Sequence, residues 1–257
     1  MLYPVLHQLL EDKEGSTVFA CFTLWHWAYI LFALAAILAV ILTLRGKKQV
    51  IKNRVLSVLT AVPFALYMAD FFLMPLAYGI IDVDKLPFHA CTSMSILCFA
   101  SSHAPFLKKF RVHFALLGFI SNLIYVAYPS GVMAYEIAPL SYRVIQTMLF
   151  HSCMMVACLS VLIFDRYPFQ IKHCYRDLCV LGGMTAWATL GNLFYSGAAE
   201  DYDHNFNWFF VRQDPLNIIP EHIAPYIAPI VNIAVFFAIE IIIYLIFAAI
   251  RDKKAKA

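Results

Sequence analysis

Charge is scarce in this sequence. Only 14% of its 257 residues are Asp, Glu, Lys or Arg, whereas an ordinary soluble domain carries about 25%. That shortage excludes a cytosolic globular enzyme, a disordered chain and a basic nucleic-acid binder. Strand-like alternation of polar and apolar residues is also missing, which excludes an outer-membrane β-barrel. No basic stretch leads into an apolar core at the start of the chain. Glu11, Asp12, Lys13 and Glu14 fall there instead, so no signal peptide is expected. The seven cysteines form no CxxC pair and no cluster outside the apolar runs. A disulfide framework is therefore not expected, and most of these thiols read as small apolar fillers. There is no internal repeat and no linker long enough to divide the chain, so a single transmembrane domain over 1–257 is expected.

Apolar sequence is what the chain has in abundance: 62% of it is hydrophobic and the mean hydropathy is +0.74. Seven apolar segments stand out, at 25–44, 54–78, 87–107, 111–128, 141–164, 175–196 and 225–250. A helix rising about 1.5 Å per residue needs about 20 residues to cross about 30 Å of hydrocarbon. The expectation is an all-α, polytopic membrane bundle of about seven transmembrane helices. Residues 1–24 are expected to form an interfacial helix, with Leu2, Val5, Leu6, Leu9 and Leu10 on one face.

Charge placement orients the chain. The loops after the first, third and fifth segments, together with the C-terminal tail, hold 15 of the 19 Lys and Arg residues. The opposite loops hold mainly Asp82, Asp84, Glu136, Glu200, Asp201, Asp203, Asp214 and Glu221. By the positive-inside rule the N-terminus is outside and the C-terminus cytoplasmic. The longest loop, 197–224, then lies outside. Its Trp208, Phe209 and Phe210 suit either a surface loop lying flat in the interface or a lid over an outward-facing site.

Polar groups at membrane depth are costly, and they tend to face the bundle interior or a cavity. The candidates are Asp70, His89, Asn122, Gln146, His151, Asn192, Asn232 and Glu240. Most fall in the outer halves of their segments, which points to a polar cavity opening outward or sideways. The asparagines also suit interhelical hydrogen bonding. Asp70 also suits packing against a histidine, and Glu240 a lone protonated acid. His151, mid-membrane, needs a partner for each ring nitrogen.

The densest chemical cluster is Pro87-Phe88-His89-Ala90-Cys91-Thr92. A proline in the first turn leaves backbone N–H groups available to activate a thiol or hold an oxyanion. Cys91 as nucleophile, with His89 or His151 as base, is sound chemistry. A metal site from Asp70, His89, Cys91 and His151 has no supporting ligand spacing. No metal or cofactor is expected.

Three motifs carry a family resemblance over nearly the whole chain: Leu86-Pro87-Phe88-His89-Ala90-Cys91, the spacing of Gln146 and His151, and Gly191-Asn192-Leu193-Phe194-Tyr195. The chain resembles the bacterial YwaF-like integral membrane proteins, whose eukaryotic relatives are the transmembrane-protein-164 acyltransferases. The resemblance implies a membrane enzyme that moves a fatty acyl chain between phospholipids through a cysteine with a histidine partner. His151 and His89 match the family histidines. The eukaryotic cysteine directly follows the proline, where this chain has Phe88, and Cys91 lies three positions later. The implied site is thus His151 as base, Cys91 as nucleophile and His89 beside them. Asp70, Gln146, Asn192 and Asn122 would bind or orient the substrate, Asp70 by fixing a histidine tautomer. The expected setting is the plasma membrane (the bacterial cytoplasmic membrane for the bacterial branch), with membrane lipids as partners and no nucleic acid. The alternative is a non-enzymatic lipid or small-molecule binder, transporter or sensor.

Overall fold

The computed structural model describes residues 10, 17–78, 83–133, 136–166, 171–195, 207–211, 218–220 and 222–256. Most of the 1–24 segment and most of the 197–224 loop lie outside the described residues. Among the described residues, seven helices of three turns or more follow one another: α1 (Leu24–Leu44), α2 (Gln49–Tyr78), α3 (Ala90–His103), α4 (Arg111–Ala127), α5 (Tyr142–Phe164), α6 (Cys174–Tyr195) and α7 (Ala224–Lys256). The described residues contain no strand.

Among the described residues, six helical stretches are long and apolar enough to cross a membrane: Leu24–Leu44, Gln49–Leu76, Lys108–Met133, Tyr142–Phe164, Cys174–Tyr195 and Ala224–Ile250. The expected third span, 87–107, is the exception. Its helix α3 has only 14 residues, or about 21 Å at 1.5 Å per residue. Prolines set its limits. Pro87 and its neighbours form a turn before the helix. Pro105 removes a donor and disfavours helical geometry at Ala104, so α3 stops at His103.

The chain forms two compact units, one of Met1–Lys85 with Met94–Asp165, the other of Leu86–Ser93 with Arg166–Ala257. In the first, α5 is the central helix and packs against α1, α2 and α4. Its sequence explains this position: from Phe150 to Leu162 nearly every side chain is buried, as in a helix enclosed on all sides. By contrast α1 leaves Leu24, Leu31, Phe32, Leu34, Leu38 and Leu42 exposed, a surface suited to lipid tails. Gly118 lets α4 approach α5 closely, since a Cβ there would lie 2.8 Å from the Cys158 sulfur. Helix α3 is held to α2 by the stacked pair Phe64–Phe99, with ring centroids 4.4 Å apart. Hydrogen-bond contacts Thr60–Ser102 and Ser57–His103, both 3.3 Å, add to it.

The second unit is built from α6, α7, the segment Leu86–Ser93 and the 3-10 turns Ile171–His173 and Trp208–Phe210. The Pro87-Phe88 motif supplies its centre. Phe88 lies against Trp187, Trp208 and Tyr195, with centroid distances of 4.9, 4.8 and 6.0 Å. The Trp187 indole N–H donates to the Pro87 carbonyl at 2.7 Å. Gly191 makes room for Phe88, because a Cβ there would fall 2.5 Å from the ring. The two motifs around Pro87 and Gly191, about a hundred residues apart in sequence, therefore form one packing core.

Candidate functional site

In the first unit, His151 is 5% exposed on α5, nine residues, or about 14 Å, from the helix start. Its Nδ1 lies 2.7 Å from Asn122 Oδ1 on α4. The orientation of that amide is set by chemistry. Asn122 Nδ2 lies 2.6 Å from the Gly118 carbonyl, which only accepts. Oδ1 must therefore be the atom facing His151, and it too only accepts. Nδ1 consequently carries the proton, and in the neutral ring Nε2 holds the lone pair. Tyr125 lies flat on the imidazole, with centroids 3.7 Å apart and planes at 12°. A ring face in this position favours a positive charge on the histidine, by about 0.5–2 kcal/mol. A buried imidazole with a basic Nε2 and a stacked aromatic can accept a proton and stabilise the resulting cation.

Gly118, Asn122 and Tyr125 have the spacing i, i+4, i+7 and so share one stripe of α4. That stripe is visible in the sequence, yet only Asn122 stands out there by residue type. His26 on α1 offers a contrast. It is fully buried, but Phe22 N–H donates to its Nδ1 at 2.9 Å and its Nε2 lies 2.8 Å from the Val126 carbonyl. Both nitrogens serve the backbone, so His26 holds α1 to α4.

Asp70 does not pair with a histidine. Lys85 Nζ lies 2.7 Å from its Oδ2, and the Tyr142 hydroxyl donates to its Oδ1 at 3.1 Å. The expected tautomer-fixing role passes instead to Asn122. The cause is local: the turn Val83–Lys85 brings the ammonium back over α2, where the Tyr67 hydroxyl also donates to the Lys85 carbonyl at 2.8 Å. The Asp70 side chain is 3% exposed and that of Lys85 20%. We expect Lys85→Met to destabilise the protein by about 3 kcal/mol, because it strands a buried carboxylate. The double variant Lys85→Met/Asp70→Leu should recover most of that loss. Thermal unfolding in detergent decides; a single variant that melts with the wild type would mean the pair is idle.

Gln146 is partly buried on α5 and accepts from the Thr147 hydroxyl at 3.4 Å. Five residues from His151, it points about 140° around the helix from it.

The remaining candidates lie in the second unit. His89 ends the turn before α3 and Cys91 is partly buried in its first turn. The His89 carbonyl accepts from Ser93 N–H at 2.9 Å and from the Thr92 hydroxyl at 3.0 Å. Asn192 is fully occupied. Its Nδ2 donates to the Ala188 and Trp208 carbonyls at 2.8 and 3.1 Å, and its Oδ1 accepts from Trp208 N–H at 3.1 Å. With both amide protons engaged, it has none left for an oxyanion. Asn232 donates to the Phe209 carbonyl at 2.6 Å.

These two asparagines hold a strained turn, since Phe209 and Phe210 both have left-handed φ, 55° and 52°. The same bonds correct the expectation for this part of the long loop. Trp208 and Phe209 are 1% and 3% exposed, packed against Phe88 and Phe236, and not flat in the interface. Only Phe210 of the three is exposed, and that side chain alone among them remains for a surface role. Among the described residues, no group of three or more His, Cys, Asp or Glu is arranged to hold a metal ion.

The sequence profile of the TMEM164 family matches residues 21–251. No curated protein and no solved structure matches the chain.

Proposed function

This chain belongs to the TMEM164 family, a multi-pass membrane family, and we propose that it modifies phospholipids by acyl transfer or hydrolysis. The observation that carries the proposal is the 2.7 Å contact between His151 Nδ1 and Asn122 Oδ1, which leaves Nε2 as the basic nitrogen. A general base at membrane depth suits a substrate whose ester bonds lie near the interface. In the proposed first step Nε2 removes the proton of a nucleophile as that nucleophile attacks an acyl ester. The histidine then returns the proton to the departing oxygen. Asn122 is a positioning residue: it holds the tautomer, and Tyr125 supports the imidazolium.

The N-terminus-out orientation puts 15 of the 19 Lys and Arg in cytoplasmic loops and the tail, and it requires α3 with its flanking turns to cross the membrane as a seventh, shortened span. In that orientation the polar halves of α4 and α5 face the outer leaflet of the plasma membrane.

The nucleophile is either water or the thiol of Cys91, the latter on the family resemblance alone. The test is acyl exchange between a diacyl phospholipid and a lysophospholipid on the purified protein, followed by mass spectrometry. Wild type is expected to move acyl chains. A dead Cys91→Ser variant, with a thioester adduct trapped on the wild-type thiol, would assign the thiol. An active Cys91→Ser variant that releases free fatty acid would assign water. No turnover over a broad lipid panel would sink the enzymatic reading in favour of a lipid binder or transporter.

A further inference from the structure

The second unit contains a buried acid that the acyl-transfer reading does not use. Glu240 lies on α7, inside the apolar stretch Ala224–Ile250, and is 1% exposed. Among the described residues, neither of its carboxyl oxygens has a hydrogen-bond partner and it enters no ion pair. Helix α6 packs against α7 and carries Asp177, also 1% exposed. The two acids are near enough to act on each other through space, and Cys174, one turn before Asp177, shares their surroundings. The buried or half-buried titratable groups around the pair are His173, Cys174 and Arg176 at that end of α6 and Tyr244, one turn on from Glu240 along α7. The Arg176 guanidinium lies over the exposed Tyr175 ring, 5.6 Å from its centroid.

A lone ionised carboxylate in such surroundings would lose its hydration without gaining a donor, a cost of several kcal/mol. A second acid on the facing helix adds like-charge repulsion in a medium that screens poorly. One bound proton relieves both. We propose that Asp177 and Glu240 form an intramembrane proton-binding pair, with Glu240 holding the proton and Asp177 setting how firmly it is held. The neutral acid then belongs to the apolar face of α7, and loss of its proton loosens the α6–α7 contact. The pair therefore links the packing of the second unit to protonation, independently of any chemistry at His151.

Infrared spectroscopy of the protein in detergent tests the pair directly. A carbonyl stretch from a protonated carboxyl is expected at neutral pH, and Glu240→Gln, which keeps shape and neutrality, should abolish it without loss of fold. A hydrophobic carbodiimide, which adds across protonated carboxyls, should label Glu240 at neutral pH. Asp177→Asn should change the pH at which that labelling is lost. Three results would overturn the proposal: no such band in the wild type, a band unchanged in Glu240→Gln, or labelling blocked by sodium but not by choline chloride. The last would assign a metal cation to the site. Each readout is separate from acyl exchange, so either idea can fail alone.

Discussion

His151→Ala is expected to abolish acyl exchange, with a loss of about 10²–10⁴-fold from removal of a general base. The same substitution should leave the protein folded, because the imidazole touches α4 through one amide and one ring face. Asn122→Leu is the sharper companion. It keeps the histidine but removes the acceptor that places the proton on Nδ1, so the ring partitions between tautomers and loses its fixed orientation. Activity should fall by roughly 10–100-fold, the range seen when the group that orients a functional histidine is removed. Nitrogen chemical shifts of His151 in labelled protein report the tautomer directly, and they should change in Asn122→Leu. Unchanged shifts with lost activity would mean that Asn122 acts through packing. Full activity in a folded His151→Ala protein would remove the base from the mechanism altogether.

Gly191→Ala should disrupt the core of the second unit. The added methyl would lie 2.5 Å from Phe88 ring atoms, far inside contact distance. Phe88 has little room to yield, because Trp187 and Trp208 lie against it at 4.9 and 4.8 Å. Overpacking of this kind costs about 1–3 kcal/mol or more, which exceeds the roughly 1 kcal/mol that alanine gains over glycine inside a helix. Gly183→Ala on the same helix is the control. Nothing lies within 4 Å of a Cβ there, so the propensity term acts alone and the variant should be neutral to slightly stabilised. Thermal melting of the two variants in one detergent compares them, and Phe88→Leu should partly rescue Gly191→Ala. Equal melting of the two alanine variants would refute the proposed core.

Much of the architecture was legible in the sequence. Long apolar runs determine helices in a bilayer, because the backbone must satisfy its own hydrogen bonds there. Six of the seven expected spans have that length and composition. The shortened seventh was also legible, since Pro105 interrupts 87–107, but a count of apolar residues outweighs a single breaker. The importance of His151 was legible too, as a histidine deep in an apolar run.

The partners of the buried polar groups were decided by the tertiary structure alone. Asp70 takes Lys85 and Tyr142, Asn122 takes His151, and Asn192 takes the backbone of Trp208. Hydropathy fixes how deep a residue lies along its helix and leaves open the rotation of that helix about its axis. Rotation is set by packing against neighbouring helices, through contacts such as Gly118 on Cys158 and Gly191 under Phe88. A turn of 100° per residue is enough to exchange one partner for another.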